Sequence, residues 1–474
     1  MLTQKTTLIN IGNEKTLRYD VDYIKYHQAH VVNYYAFNDL FSIISGEGYK
    51  EDELIGDFDY CEIGNSDKNG DISPVTLNFD RRTLEDESYY AKIEKGDITS
   101  VELDDILIAK VRPNLKKYIR ITQDKLGVYY TTAFIRLKAK EMPDLLYYCL
   151  RTIFYEDLMA IARQGKGYPT INEKDLVALR FNGSVINKLR LKYTDISLLI
   201  KDVEKRIQTA QAKIQSSQSI IDSVFQREFG FDYDKFEELK SYKHYSTQLS
   251  MFSNNPDLRF SAKYHRPAGE FVMKQLTGIT DKKIKHFITE PIVLGASVSP
   301  KDYDEFGEYS YISMATIKSW SFDAEAASTV SNSYSAQKPA KTVQKNDIIL
   351  ARSGEGTIGK VAIITDEDLK GIFADFTMRI RLNENSYNPT FAYYFMRNCY
   401  FQYLIEIYKK GLGNNTNIFP IVIQEFPIPD ISLKDQQRIV DEIQDEIKKQ
   451  DDIKAEIAEL RAQIDDIIIK SITE

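Results

Sequence analysis

Between Ser184 and Gly230 the apolar residues fall on a single seam: Ile186, Leu189, Tyr193, Ile196, Ile200, Val203, Ile207, Ala210, Ile214, Ser217, Ile221 and Val224, at alternating steps of three and four. Only Ser217 on that seam is polar. A heptad rhythm of this kind predicts one long helix with a narrow apolar stripe. About 39 residues at 1.5 Å each make a rod of roughly 58 Å, longer than a small domain is wide. Such a rod needs a partner along its whole length.

The partner is expected to be the chain's own tail. At an offset of 243 positions, Ile196, Ile200, Ala210, Ile214, Ser217, Ile221 and Val224 correspond to Ile439, Ile443, Ile453, Ile457, Leu460, Ile464 and Ile467. Val203 and Ile207 correspond to Glu446 and Gln450, where the second stripe leans to Ile447. Two seams in one register, half a chain apart, predict a tandem duplication in which each globular part is followed by a long helix. The helices are expected to run antiparallel, with a globular part at each end. An ordinary core helix in a bundle would explain the periodicity of either seam alone, but not their shared register.

Composition narrows the class. With 43% apolar and 28% charged residues in 474, the chain reads as a soluble protein with room for two or three cores. No stretch at the amino terminus reads as a signal peptide, and no apolar run approaches a membrane span. Cys61, Cys149 and Cys399 are odd in number and form no CxxC pair, which fits a reducing cytoplasm and speaks against disulfides or structural zinc. His27 and His30 lack a nearby carboxylate or cysteine set, so no metal site is expected. The net charge of -8 argues against a polyanion partner only on average, because the last helix is strongly acidic while basic clusters sit in the globular parts.

The two halves echo one another in order. LRYDVDYIKYH (Leu17 to His27) is answered by LRFSAKYH (Leu258 to His265), and FDYCEIG near Phe58 by GEYSYIS from Gly307. DKNGD (Asp67 to Asp71) has the start of a calcium loop without its later ligands and reads as an Asn-Gly turn. The most informative pair is DDILIAKVRPNLKKYIRI (Asp104 to Ile121) against NDIILARSGEGTIGKVAII (Asn346 to Ile364). Each predicts a buried strand, basic residues (Lys110 and Arg112, or Arg352), a turn, and a strand that begins with lysine (Lys117, or Lys360). Pro113 and Asn114 make one turn; Gly354, Gly356 and Gly359 make the other. Cationic side chains and bare amides at a hairpin tip suit phosphates and base edges, although a solubilising surface hairpin has the same look. GEGTIGKV also matches a P-loop, but Val361 stands where magnesium needs Ser or Thr, and a strand is predicted where a helix is required.

Each half then predicts a helix, LLYYCLRTIFYEDLMAIAR or FAYYFMRNCYFQYLIEIYKK, followed by a loop, Gln164 to Asn172 or Gly411 to Phe419. Arg163, Lys166, Lys409 and Lys410 flank these loops, and Asn414, Asn415 and Asn417 have the amides to read adenine edges. Pro427 and Pro429 stop the strand that follows, and Ser432 is placed to cap the last helix.

A basic, Gly-bearing hairpin, a helix with a Gly loop, Pro-x-Pro, a Gln and a long heptad helix, repeated along the chain, resemble the specificity subunit of type I restriction-modification systems. The resemblance runs over essentially the whole chain, with its best motifs at Asn346 to Ile364 and Phe426 to Val440. The first copy departs from the pattern: Val111 to Lys116 lacks the glycines and Phe181 to Ser184 the Pro-x-Pro. The resemblance implies an α+β chain of two target recognition domains, mixed α/β and strand-rich, joined by two long antiparallel coiled-coil helices. The expected domains are residues 1–182 and 233–431, and the helices 183–232 and 432–474. It further implies a non-catalytic, cytoplasmic subunit without cofactor or metal that binds double-stranded DNA, each domain reading half of a bipartite site. Its partners would be two modification subunits, which use S-adenosylmethionine, and restriction subunits, which use ATP and magnesium. The DNA-binding candidates are Lys110, Arg112, Lys116, Lys117, Arg163, Lys166, Arg352, Lys360, Lys409, Lys410, Asn414 and Asn415. The adenine-methylase motif Asn/Asp-Pro-Pro-Tyr/Phe is absent from the sequence, and lone Glu-x-Lys occurrences at Glu238 and Glu446 are too common to indicate a nuclease. A related type II bipartite-site system, a self-contained enzyme acting on DNA, and a coiled-coil scaffold that binds only protein are the competing readings.

Overall fold

A computed structural model describes residues 21–29, 33–45, 54–82, 86–164, 167–253, 259, 261–354, 356–411 and 415–473. Lys166, Asn414, His30, Leu258 and the opening residues 17–20 lie outside them. The chain forms two compact units, one of residues 1–213 and 455–474, the other of residues 214–454.

The first unit is built on a four-stranded antiparallel sheet in the order β2 (Phe41–Ile44), β8 (Phe134–Ala139), β5 (Asp105–Ala109), β6 (Tyr118–Arg120). All five residues of β5 are buried, so both faces are covered, which explains an apolar run without alternation. Asp105 within it is paired: its carboxylate accepts from Arg136 Nε at 2.5 Å and from the Glu102 amide at 2.7 Å. A three-stranded sheet of β4 (Val75–Leu77), β3 (Phe58–Cys61) and β7 (Tyr129–Tyr130) adjoins it in sequence, with β3 and β7 parallel. Two short pairs, β1 (Tyr34–Ala36) with β11 (Arg180–Asn182) and β9 (Arg163–Gln164) with β10 (Pro169–Thr170), complete the strands described for this unit.

The second unit has the same strand orders: β12 (Val293–Leu294), β18 (Thr377–Ile380), β15 (Ile348–Ala351), β16 (Val361–Ile363), and β14 (Thr329–Val330), β13 (Tyr309–Ile312), β17 (Gly371–Phe373), with β13 and β17 parallel. The likeness reaches single residues. Buried Asp347 takes Arg381 at 2.7 and 2.6 Å and the Gln344 amide at 2.8 Å, as Asp105 takes Arg136 and Glu102. The residues before them, Asp104 and Asn346, share left-handed backbone at φ 64° and 70°. Each donates its amide to an isoleucine carbonyl, Ile121 at 2.9 Å or Ile364 at 2.7 Å. Asp and Asn are the side chains that tolerate this conformation.

The helices differ from the sequence expectation in continuity. The expected single rod consists of two helices, Gly183–Gln211 and Ser217–Phe229. Between them the seam residue Ile214 is exposed, the Ser216 side chain caps the second helix by accepting the Ser219 amide at 3.0 Å, and Gln450 Oε1 takes the Gln215 amide at 2.8 Å. Serines compete for backbone amides in this way, and QSSQS places several together. The helix of each domain is likewise double: Pro143–Arg151 with Tyr155–Ile161, and Pro389–Arg397 with Cys399–Tyr408. In the second pair Asn398 ends one helix and caps the next, its side chain accepting the Tyr400 amide at 2.9 Å.

The last helix, Leu433–Thr473, is unbroken, and the Ser432 hydroxyl caps it by accepting the Asp435 amide at 3.1 Å. In the first unit Lys188 Nζ donates to the Ile472 carbonyl at 2.8 Å and Lys192 Nζ to that of Ser471 at 3.3 Å. In the second unit Arg227 meets Glu442 at 2.6 Å, and Ile221, Val224 and Phe225 share a core with Ile439, Val440 and Ile443. Within each unit the two helices therefore run antiparallel. Seam positions Ile186, Leu189, Ile196, Ile200, Val203, Ile207 and Ala210 are buried, as are Ile457, Leu460 and Ile464, while Ile453 and Ile467 are half-buried.

Candidate nucleic-acid interface

The hairpin tip and the Gly loop, two separate stretches of sequence, are hydrogen-bonded together in each unit. In the first, the Lys110 amide donates to the Ala133 carbonyl at 3.0 Å, the Ile171 amide to Lys110 at 2.9 Å, and the Arg112 amide to Pro169 at 2.9 Å. In the second, the Arg352 amide donates to the Phe376 carbonyl at 2.9 Å and the Ile418 amide to Arg352 at 2.9 Å, while Ser353 bridges Asn417. Lys110 and Arg352 thus occupy the same node, where three segments of chain meet. This rigid backbone is what fixes a side chain at the tip.

The turns beyond the node differ. In the second unit Gly354, Gly356 and Gly359 have φ of 85°, 82° and 88°. At Gly359 the positive φ favours glycine, and a Cβ there would also stand 2.7 Å from Gln402 Oε1 and crowd Ile405. In the first unit a short 3-10 turn, Pro113–Leu115, is flanked by Arg112 and Lys116 at φ 52° and 53°. There the same reversal is made by side-chain-bearing residues at a cost in strain.

The candidate side chains sort by what already holds them. Arg352 is half-buried; its Nε donates to the Asp375 carbonyl at 2.9 Å, its Nη1 to Asn417 Oδ1 at 3.0 Å, and its guanidinium lies 5.6 Å from the Phe376 ring centre. Arg112 is exposed and lies 5.1 Å from the Tyr168 ring centre. Lys110 pairs with Glu173 at 2.9 Å, Arg163 with buried Asp175 at 2.8 Å, and Lys409 with Glu406 at 2.6 Å. Lys116 Nζ donates to the Arg151 carbonyl at 3.0 Å and Lys117 Nζ to that of Ile63 at 2.8 Å. Lys360 sits 3.9 Å over the Trp320 ring, and burial, with Arg397 nearby, pulls its pKa down. Lys410 and Asn415 are exposed. Six of the seven lysine and arginine candidates other than Arg112, Arg352 and Lys410 can be placed, and each is engaged inside its own unit.

Sequence reading missed the aromatic partners Tyr168, Trp320 and Phe376, because nothing in their local pattern ties them to a particular cation. Val361 opens β16 directly after Lys360, so the P-loop match has no helix behind it. Asp67 folds DKNGD as a turn, accepting the amides of Asn69 and Asp71 at 2.8 and 2.9 Å. Among the described residues no group of three or more His, Cys, Asp or Glu is placed to hold a metal, and no helix is long and apolar enough to cross a membrane.

No curated protein matches the chain. It is similar to three solved structures, each covering 93% of this chain: one from a study of type I R-M complex assembly and conformational transition, at 16% identity, 97% of that chain and TM-score 0.46; the HsdS subunit from Thermoanaerobacter tengcongensis, at 15%, 96% and 0.36; and the type I S subunit from M. genitalium, at 13%, 96% and 0.40. The family model described as the type I restriction modification DNA specificity domain matches residues 291–462, which take in the second tip, its loop and much of the last helix. Residues 291–462 are therefore similar to the family that the motifs at Asn346 to Ile364 and Phe426 to Val440 resemble.

Proposed function

We propose that the chain is the DNA sequence-specificity subunit of a type I restriction-modification complex, without catalysis of its own. Each globular part reads one half of a bipartite site through its tip-and-loop assembly, and the long helices act as spacer and as docking surface for two modification subunits. The observation that carries the reading is the recurrence of the node: Lys110 and Arg352 hold the same three-way hydrogen bonding in units whose turn sequences differ. A scaffold that bound only protein would need no such duplicated cationic tip. Helical docking is supported by Leu191, Leu198 and Leu199, which stand 87%, 63% and 55% exposed on the central helix. Apolar surface left in water on a long helix calls for a partner.

Methylome sequencing of cells with and without this gene tests the reading. The expected outcome is loss of methylation at one bipartite sequence with an unspecified gap. Cleavage, methyl transfer or ATP turnover by the purified chain alone would sink it.

A further inference from the structure

Two aromatic rings stand at the tips with their surfaces in water: Tyr168 is 41% and Phe376 46% exposed. A lone exposed aromatic needs no explanation. Here, however, each ring carries an arginine guanidinium against it, Arg112 at 5.1 Å and Arg352 at 5.6 Å. The shared backbone does not force this arrangement. At the node, Ala133 of the first unit stands where the second unit has Phe376, and the first unit's ring comes instead from the opposite segment, beside Pro169. Two unlike sequences reach the same pairing from opposite sides of the tip.

We propose that Tyr168 and Phe376 are DNA-contacting residues that determine specificity, each ring holding its arginine toward a guanine in its own half-site; the inference rests on the specificity reading above. A cation–ring contact restrains the guanidinium while leaving N–H groups for an acceptor. Arg112 makes no other side-chain hydrogen bond or ion pair among the described residues, and Arg352 leaves Nη2 unbonded after donating through Nε and Nη1. Guanine O6 and N7 are the major-groove acceptors that arginine fits best.

The test uses the full subunit assembled with its modification subunits. Wild type, Phe376→Ala, Phe376→Leu, Tyr168→Ala and Tyr168→Phe are compared by methylome sequencing and by competition binding to duplexes altered one base pair at a time. Phe376→Ala and Phe376→Leu are expected to relax one G·C position of one half-site by roughly tenfold. Tyr168→Ala should do so in the other half-site, while Tyr168→Phe keeps wild-type discrimination. The leucine variant retains apolar bulk, so it reports on the ring should the alanine variant fail to assemble. Unchanged discrimination at every position, a uniform affinity loss on all sequences, or relaxation at an A·T pair would overturn the proposal. If wild type itself methylates no bipartite site, the specificity reading has failed, and that outcome is visible before any variant is made.

Discussion

Arg352 and Arg112 show how far two units with one backbone plan diverge at the point of contact. Arg352 occupies the node itself, tied by two hydrogen bonds and closed in by a turn of glycines. Arg112 lies two residues beyond the equivalent Lys110, in left-handed backbone, held by a ring alone. The sheets below are matched to the level of Asp105 and Asp347, so the difference is confined to the surface. The core fixes where a tip stands, and the tip is free to change what it presents.

A second contrast lies where each unit grips the central helices. In the first, buried Asp144 accepts from Ser197 and from Tyr193 at 3.0 Å, both on the helix Gly183–Gln211. In the second the carboxylate comes from the helix: Asp222 accepts the Cys399 amide at 2.9 Å and Asn398 Nδ2 at 3.0 Å. Asp222→Ala is expected to have the largest effect on stability, about 2–3 kcal/mol in denaturant unfolding, because it strips a helix start of its acceptor. Asp144→Ala should cost less, since hydroxyls turn to other acceptors more readily than a fixed amide.

Their pH dependences should be opposite. Burial raises the Asp222 pKa, only partly offset by Gln218 and the Cys399 amide. Burial also acts on Asp144, but the Ser197 and Tyr193 hydroxyls, with the Leu145 amide, outweigh it and hold the pKa below 3.8. A raised folded pKa means that the native state keeps the proton longer, so the Asp222 contribution weakens as pH rises from about 3.8 through its folded value. The Asp144 contribution is complete above about 3.8 and is lost as pH falls through its depressed folded value. Unfolding of Asp222→Asn and Asp144→Asn across mildly and strongly acidic buffers checks the signs; equal slopes in wild type and Asp222→Asn above pH 4 would contradict them.

The tips themselves should differ in specificity. Arg352→Ala is expected to cost about 1–3 kcal/mol of discrimination at one base pair, read by competition binding of the assembled complex. Arg112→Ala should cost about 1 kcal/mol less, because a ring alone restrains its guanidinium less than the ring and two hydrogen bonds that hold Arg352. Equal losses would show that the two hydrogen bonds on Arg352 add no preorganisation.

Legibility in the sequence followed the same divide. The strands of the two hairpin stretches came from patterns imposed by burial, continuous apolar runs at Asp104 to Ile121 and Asn346 to Ile364, whereas the order of strands in the sheets was not legible. The break at Ala212–Ser216 was missed because a heptad count scores Ile214 as apolar without weighing the serines that offer the backbone another partner. The cations were legible as residues and not as contacts. Lys360 over Trp320 and Lys117 on the Ile63 carbonyl are meetings of distant segments, and no local spacing encodes them.

The smallest expected effect concerns the strain in the first tip. Gly359→Ala in the second unit should cost about 1–2 kcal/mol, since a Cβ at φ 88° also crowds Gln402 and Ile405. Lys116 already carries a side chain at φ 53°, so Lys116→Gly relieves roughly 1 kcal/mol of left-handed strain. Against that stand the greater freedom of glycine in the unfolded chain, about 0.4–1 kcal/mol, and the loss of the Arg151 hydrogen bond and the Tyr155 contact at 4.1 Å. The first two terms nearly cancel, so the lost contacts decide the sign, and the variant should unfold about 0.5–1 kcal/mol below wild type. A clear gain would mean that the lysine's contacts contribute almost nothing and that the first tip tolerates its strain for the sake of the charge; a larger loss would mean that those contacts, rather than the turn, hold the tip in shape.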